Sequence, residues 1–139
     1  MLRPRRRAPE DGFVAVEWVA ALALLLLPIV VLVATMPAWA ERKHAATVAA
    51  REAANELAAA WPAGDPAVAR LVALDVAADH GVDATDVVVR VPSVGEARGD
   101  EVEVDVDIKM PAVGVGRMAF GSWRYTARAV RRIDDYRSR

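Results

Sequence analysis

Hydrophobic and polar positions change their rhythm several times along this chain. Residues 18–40, WVAALALLLLPIVVLVATMPAWA, are 23 positions without a charge, and Thr35 holds their only hydroxyl. A helix rising 1.5 Å per residue makes this run about 35 Å long, enough to cross a hydrocarbon core of roughly 30 Å. Trp18 and Trp39 stand near its two ends, where indole rings favour the water–lipid interface. Pro28 and Pro37 would kink a soluble helix but are tolerated in a membrane span. A buried core helix is the competing reading, yet a domain of this size cannot surround so long an apolar run on all sides.

Downstream, residues 41–60 (ERKHAATVAAREAANELAAA) are dense in helix formers and contain no Gly or Pro. Ala46, Ala49, Ala53, Leu57 and Trp61 fall on one stripe, while Arg51, Asn55 and Glu56 point elsewhere. The spacing predicts that the span runs straight on into an amphipathic helix, roughly 50 residues in all, ended by Pro62-Ala63-Gly64. A second helix is predicted from Asp65 as N-cap, Pro66 at the first helical position and Gly81 just past the end. Val68, Leu71, Val72 and Val76 make its expected apolar stripe, and His80 in its last turn complements the helix dipole.

From Asp86 onward the period is 2. Val87, Val89 and Val91 alternate with Val88, Arg90 and Pro92, and residues 101–108 (EVEVDVDI) alternate strictly. Trp123, Tyr125, Ala127 and Ala129 share one face of a third strand, with Arg124, Thr126 and Arg128 on the other. Residues 95–100 and 111–116 read as turns or loops. The expected fold class is α+β: a long transmembrane-to-amphipathic helix, a second short helix, and a three-stranded antiparallel sheet over residues 86–131 packed on the long helix.

With 139 residues and 15.0 kDa, the chain has room for one small domain besides the span. Eighteen Lys and Arg against 19 Asp and Glu leave a net charge of −1, which speaks against a nucleic-acid partner. Without cysteine there is no disulfide scaffold, thiol nucleophile or Cys-based metal site. The two histidines, His44 and His80, lie far apart in sequence, so a His-rich metal centre is not expected.

The row Glu101, Glu103, Asp105, Asp107 spreads over about 20 Å of extended strand, too far to converge on one cation. Cross-strand pairing with Arg90, Arg124 and Arg128, as a solvated ladder, is the better reading. Asp75, Asp79, Asp83 and Asp86 lack the spacing of a calcium loop. Gly114-Val115-Gly116 precedes a strand rather than a helix, so nucleotide binding does not follow. Ser93, Ser122 and Ser138 have no visible base partner. No enzyme, metal or cofactor is expected.

The junction ahead of the span holds the most information. Arg3, Arg5, Arg6 and Arg7 precede Glu10-Asp11-Gly12, then Phe13-Val14-Ala15-Val16-Glu17, then the apolar run. The Arg-dense side should stay in the cytoplasm, with residues 41–139 outside. Secretory cleavage after Ala38-Trp39-Ala40 would release those residues instead, although the run is long for a signal peptide. A carboxylate about a turn inside a membrane helix costs a few kcal/mol at the midplane and less at the edge. Glu17 therefore either snorkels to the headgroups or has a partner.

Basic leader, Gly12, Phe13 and Glu17 at this spacing resemble a class III, prepilin-type signal. Val16-Glu17-Trp18 and the segment Ala49-Ala50-Arg51-Glu52-Ala53-Ala54-Asn55-Glu56 are similar to TadE-like pseudopilins of tight-adherence (Flp-type) pilus systems. The resemblance covers residues 12–58; Pro28 lies deeper in the span than the family's proline, and beyond residue 58 only size and layout agree. It implies a leader of residues 1–12, a transmembrane helix of residues 13–40 and an extracytoplasmic domain of residues 41–139. It implies, too, cleavage between Gly12 and Phe13 by a prepilin peptidase in the cytoplasmic membrane. Glu17 would then pair with the new N-terminal amine of a neighbouring pilin or pseudopilin. The further partners implied are the inner-membrane assembly platform and the bilayer. A single-pass interaction module with an uncleaved signal anchor is the alternative, in which Glu17 has no special role.

Overall fold

In the computed structural model, residues 11–115 and 118–134 are described. The elements follow in the order α1 (Asp11–Ala60), α2 (Pro66–Asp79), a 3-10 turn (Ala84–Asp86), β1 (Val87–Ser93), β2 (Glu101–Lys109), β3 (Val113–Val115), β4 (Met118–Phe120) and β5 (Arg124–Arg132). The architecture is α+β, as the change of period from 3.6 to 2 predicts.

The single helix α1 continues for 50 residues through Pro28 and Pro37. Its C-terminal third is the spine of the head. Ala45, Ala46, Ala49, Ala50, Ala53, Ala54 and Leu57 are all buried, two adjacent rows rather than one. Two rows are needed because α1 touches α2 on one side and the sheet, through β2 and β5, on the other. The second helix in turn reaches β1, so both helices lie on the same face of the sheet. The Cβ-only side chains of alanine let the helix backbones approach closely.

Local chemistry fixes the ends of α2. The Asp65 carboxylate accepts from the Ala67 N–H at 2.8 Å, with Pro66 at the first position. At the other end Gly81, at φ +71°, allows its N–H to reach the Ala78 carbonyl while the Val82 N–H reaches Ala77, a Schellman closure. Val82 is buried beneath it. The face expected to be buried is corrected, however. Ala69, Ala73 and Ala77 are completely covered, whereas Val68 is 44% and Leu71 66% exposed and Val72 and Val76 are half-buried. Close approach decides the face rather than hydropathy: the fully covered positions beside α1 are all alanine.

The three-stranded sheet runs β1-β2-β5, antiparallel throughout. Val102, Val104, Val106 and Ile108 of the central strand point to the helices with Ala127 and Ala129, all buried. Two details depart from the sequence reading. Residues 111–116, expected as loop, contribute β3, which pairs with β4 as a small hairpin inserted between β2 and β5. Trp123 precedes the third strand rather than lying in it, its carbonyl accepting from the Met110 N–H at 2.8 Å.

On the opposite sheet face the expected ion pairs form, but two of the carboxylates are covered rather than solvated. Arg128 reaches Asp105 at 3.1 Å and Glu103 at 2.8 Å, and Arg90 reaches Asp107 at 2.7 Å. The Thr126 hydroxyl donates to Asp107 at 2.6 Å. Asp105 and Asp107 are each only 6% exposed, their carboxylates held by Arg128 and by Arg90 with Thr126. Arg124 falls opposite Lys109, past the end of the acidic row.

Candidate functional site

Polarity along α1 divides the molecule. Its N-terminal half is bare: every residue from 15 to 30 is exposed, including Leu22, Leu24, Leu25, Ile29 and Val30. Such a surface is costly in water and is what lipid or another apolar helix accepts. One helix near the N-terminus, within Ala15–Ala60, is thus long and apolar enough to cross a membrane.

Gly12 and Phe13 lie in the first turn of α1, which begins at Asp11. The arginines at 3, 5, 6 and 7 fall outside the described residues. Glu17 stands exposed on the helix, about 6 Å along the axis from Phe13. Trp18, its neighbour, is exposed as well. Glu17 is the single carboxylate between Gly12 and Glu41, so its charge is isolated on an apolar rod. An isolated anion in that setting offers a strong point attachment for a cation from another helix.

Trp39, about 33 Å further along the axis than Glu17, is in a different setting. Its indole N–H donates to the Pro111 carbonyl at 3.0 Å, and its ring meets Trp123 edge-on with centroids 6.1 Å apart. One turn on, Arg42 donates to the Lys109 carbonyl at 2.6 Å and to the Asp86 carboxylate at 2.9 Å. Lys109 is itself 4.0 Å from Asp86. Helix, 3-10 turn and the end of β2 are therefore tied together where the apolar run stops. An open depression of about 600 Å³ adjoins this neck, lined by Thr85, Asp86, Lys109, Ser122, Trp123 and Arg124.

The apolar pattern places Trp39 at the end of the span and shows no partner for it. The neck residues Arg42, Asp86, Lys109 and Trp123 are not legible as a group, because the contacts that α1 makes there join positions 44 to 84 apart. Their one local signal is position: Arg42 is the first cation after the apolar run, and Lys109 ends the strict alternation.

The histidines, far apart in sequence, meet where the two helices pack, with ring centroids 5.6 Å apart. His80 Nδ1 lies 2.8 Å from the Val76 carbonyl oxygen, tying the ring to its own helix end. Among the described residues, no group of three or more His, Asp or Glu could hold a metal ion. Two of the four aspartates around the end of α2 have separate uses. Asp83 accepts from the Thr85 N–H and hydroxyl, bonds that hold its carboxyl below the usual range, while Asp86 belongs to the neck. No protein-family model, curated protein or solved structure matches this chain.

Proposed function

We propose that the protein is a structural subunit, a TadE-like minor pseudopilin that is anchored in the cytoplasmic membrane and assembles into a tight-adherence or related type IV-like filament. The observation that carries this reading is α1. One unbroken helix of 50 residues is bare and apolar in its N-terminal half and forms the core of an α+β head in its C-terminal third. A helix of that design can serve as anchor before assembly and as packing surface after it, exchanging lipid for neighbouring helices.

The residues then have distinct roles. The arginines at 3, 5, 6 and 7 hold the leader in the cytoplasm, and the peptidase cuts between Gly12 and Phe13. The new Phe13 amine lies about one helical turn from Glu17. Two subunits staggered by about 6 Å bring the amine of one to the Glu17 carboxylate of the other. That pairing neutralises two charges that the bilayer penalises and sets the axial register. Trp18 and Trp39 mark the two interfaces, the latter through a ring already held against the head. The other pilins, the prepilin peptidase and the inner-membrane platform are the partners of this scheme.

Glu17→Ala tests it. The variant should insert and be trimmed after Gly12 as the wild type is, yet fail to cross-link to or co-purify with other pilin-like subunits. Wild-type cross-linking would remove the assembly role and favour a membrane-anchored interaction module.

A further inference from the structure

The fully bare part of α1 ends before its charge-free run does. Residues 15 to 30 are exposed throughout and cover about 24 Å, whereas the run without charge continues to Ala40. Beyond them Val31, Thr35 and Trp39, spaced by four and so on one face, are partly covered while the residues between them are exposed. Trp39 is covered by Pro111 and Trp123 of the head. β2 runs toward the span, since Trp61 at the far end of α1 donates to the Gly95 carbonyl while Arg42 and Trp39 hold the Lys109 and Pro111 carbonyls. β3 starts two residues past Pro111 and lies against α1. The hairpin β3–β4 therefore stands beside helix that composition assigns to the bilayer.

Its sequence suits that level. Residues 111–121, PAVGVGRMAFG, carry one charge in eleven positions. Above it, Lys109 and Arg124 face each other in the β2–β5 ladder and, with Trp123, line the depression at the neck. Trp123 is 48% exposed although one edge of its ring rests on Trp39. Indoles and cations in this order, apolar segment first, match the layering of a phospholipid surface. A two-stranded hairpin has open edges whose backbone groups cannot be left unpaired in hydrocarbon, which limits how deep it goes.

We propose that the hairpin β3–β4 is an interfacial foot. It enters the headgroup–acyl boundary of the leaflet on the head's side, while Lys109 and Arg124 bind anionic phospholipid headgroups. The foot holds the head upright on the membrane beside the last turns of the span. This rests on the membrane-anchor reading of α1.

The absence of cysteine allows single-site labelling. Ala119→Cys in the hairpin and Ala97→Cys, at the opposite end of the sheet, are each labelled with an environment-sensitive fluorophore. The full chain is reconstituted in phosphatidylcholine vesicles with and without phosphatidylglycerol. The chain should float with the vesicles. A nitroxide lipid labelled near the headgroup should quench the Ala119 probe several-fold more than the Ala97 probe, and more than a nitroxide deep in the acyl chain does. Omitting phosphatidylglycerol, or adding Lys109→Gln with Arg124→Gln, should reduce that quenching. Ser122→Cys, exposed at the root of the hairpin, repeats the measurement without altering the hairpin itself. Ala119 and Ser122 probes left unquenched on a chain that floats overturn the foot alone. Failure to float overturns the anchor as well, and quenching indifferent to lipid charge and to the paired substitution overturns the headgroup contact.

Discussion

Exchanging side-chain volume between Ala73 and Leu71 tests how α2 is seated. Ala73 is completely buried in a seam of alanines, so leucine there must add three carbon atoms to filled space. Overpacking of this kind costs about 1–3 kcal/mol. Leu71 is 66% exposed and keeps only a third of its surface from water. Full burial of a leucine contributes about 1.5–3 kcal/mol, so that third contributes about 0.5–1. Alanine retains the Cβ and is the better helix former, which brings Leu71→Ala to about 0.5 kcal/mol or less. For a head of this size each kcal/mol moves the midpoint by about 4–8 °C. Thermal unfolding of the full chain in detergent micelles, followed by near-UV circular dichroism, should show Ala73→Leu lowered by about 4 °C or more. Leu71→Ala should stay within about 3 °C of the wild type. A larger loss for Leu71→Ala than for Ala73→Leu would mean that α2 presents its leucine face to the core and that the packing described is rotated.

Val104 is fully buried at the middle of β2, opposite Ala129, and Val104→Asp places an unpaired carboxylate in the core at a cost of several kcal/mol. The head should then lose its cooperative melt, while Glu103→Lys, which breaks a pair with a mostly exposed Arg128, should cost about 1 kcal/mol or less. Gly95→Ala would set a Cβ 2.6 Å from Ile133 Cδ1 and 2.8 Å from Asp100 Cβ. The isoleucine tip can turn away, but Asp100 is held by the Glu96 and Ala97 N–H groups, so a loss of about 1–3 kcal/mol in the same melt is expected and a wild-type melt would refute it. Arg42→Ala removes the bonds to Asp86 and to the Lys109 carbonyl, a loss of about 1–2 kcal/mol. Hydrogen exchange at Met110, whose N–H bonds the Trp123 carbonyl, should quicken, and unchanged protection there would show that the neck bears no strain from the arginine's loss.

Wherever a residue's environment follows from its immediate neighbours, the sequence is readable. The apolar run, the breaker after Ala60, the Asp65 cap with Pro66, the Gly81 closure and the inward valines of β2 all depend on positions a few residues apart. What it hid depends on distance along the chain. The Leu71 stripe is a sound amphipathic pattern, but the surface opposite is an alanine helix some twenty residues earlier, and fit rather than hydropathy decides the face. Asp105 and Asp107 look like any polar positions of a half-buried strand. Their burial comes from arginines on two other strands. The hairpin within residues 111–121 has few residues per strand and glycines at positions 114 and 116, which mimic a loop. Glu17 is the reverse case: its spacing from Gly12 is legible, and the partner proposed for it is another subunit's amine.

The N-terminus of the mature protein tests the account most directly. The chain is purified from the membranes of cells that carry a prepilin peptidase, and its first residues are read by Edman degradation or terminal-peptide mass spectrometry. A mature chain beginning at Phe13 is the predicted result, and Gly12→Glu should abolish it, leaving the longer precursor in the membrane. A chain beginning at Met1 in the same cells would contradict the pseudopilin account and indicate an uncleaved signal anchor. One beginning at Glu41 would contradict it more fully, because the head would then be a released domain without its membrane span.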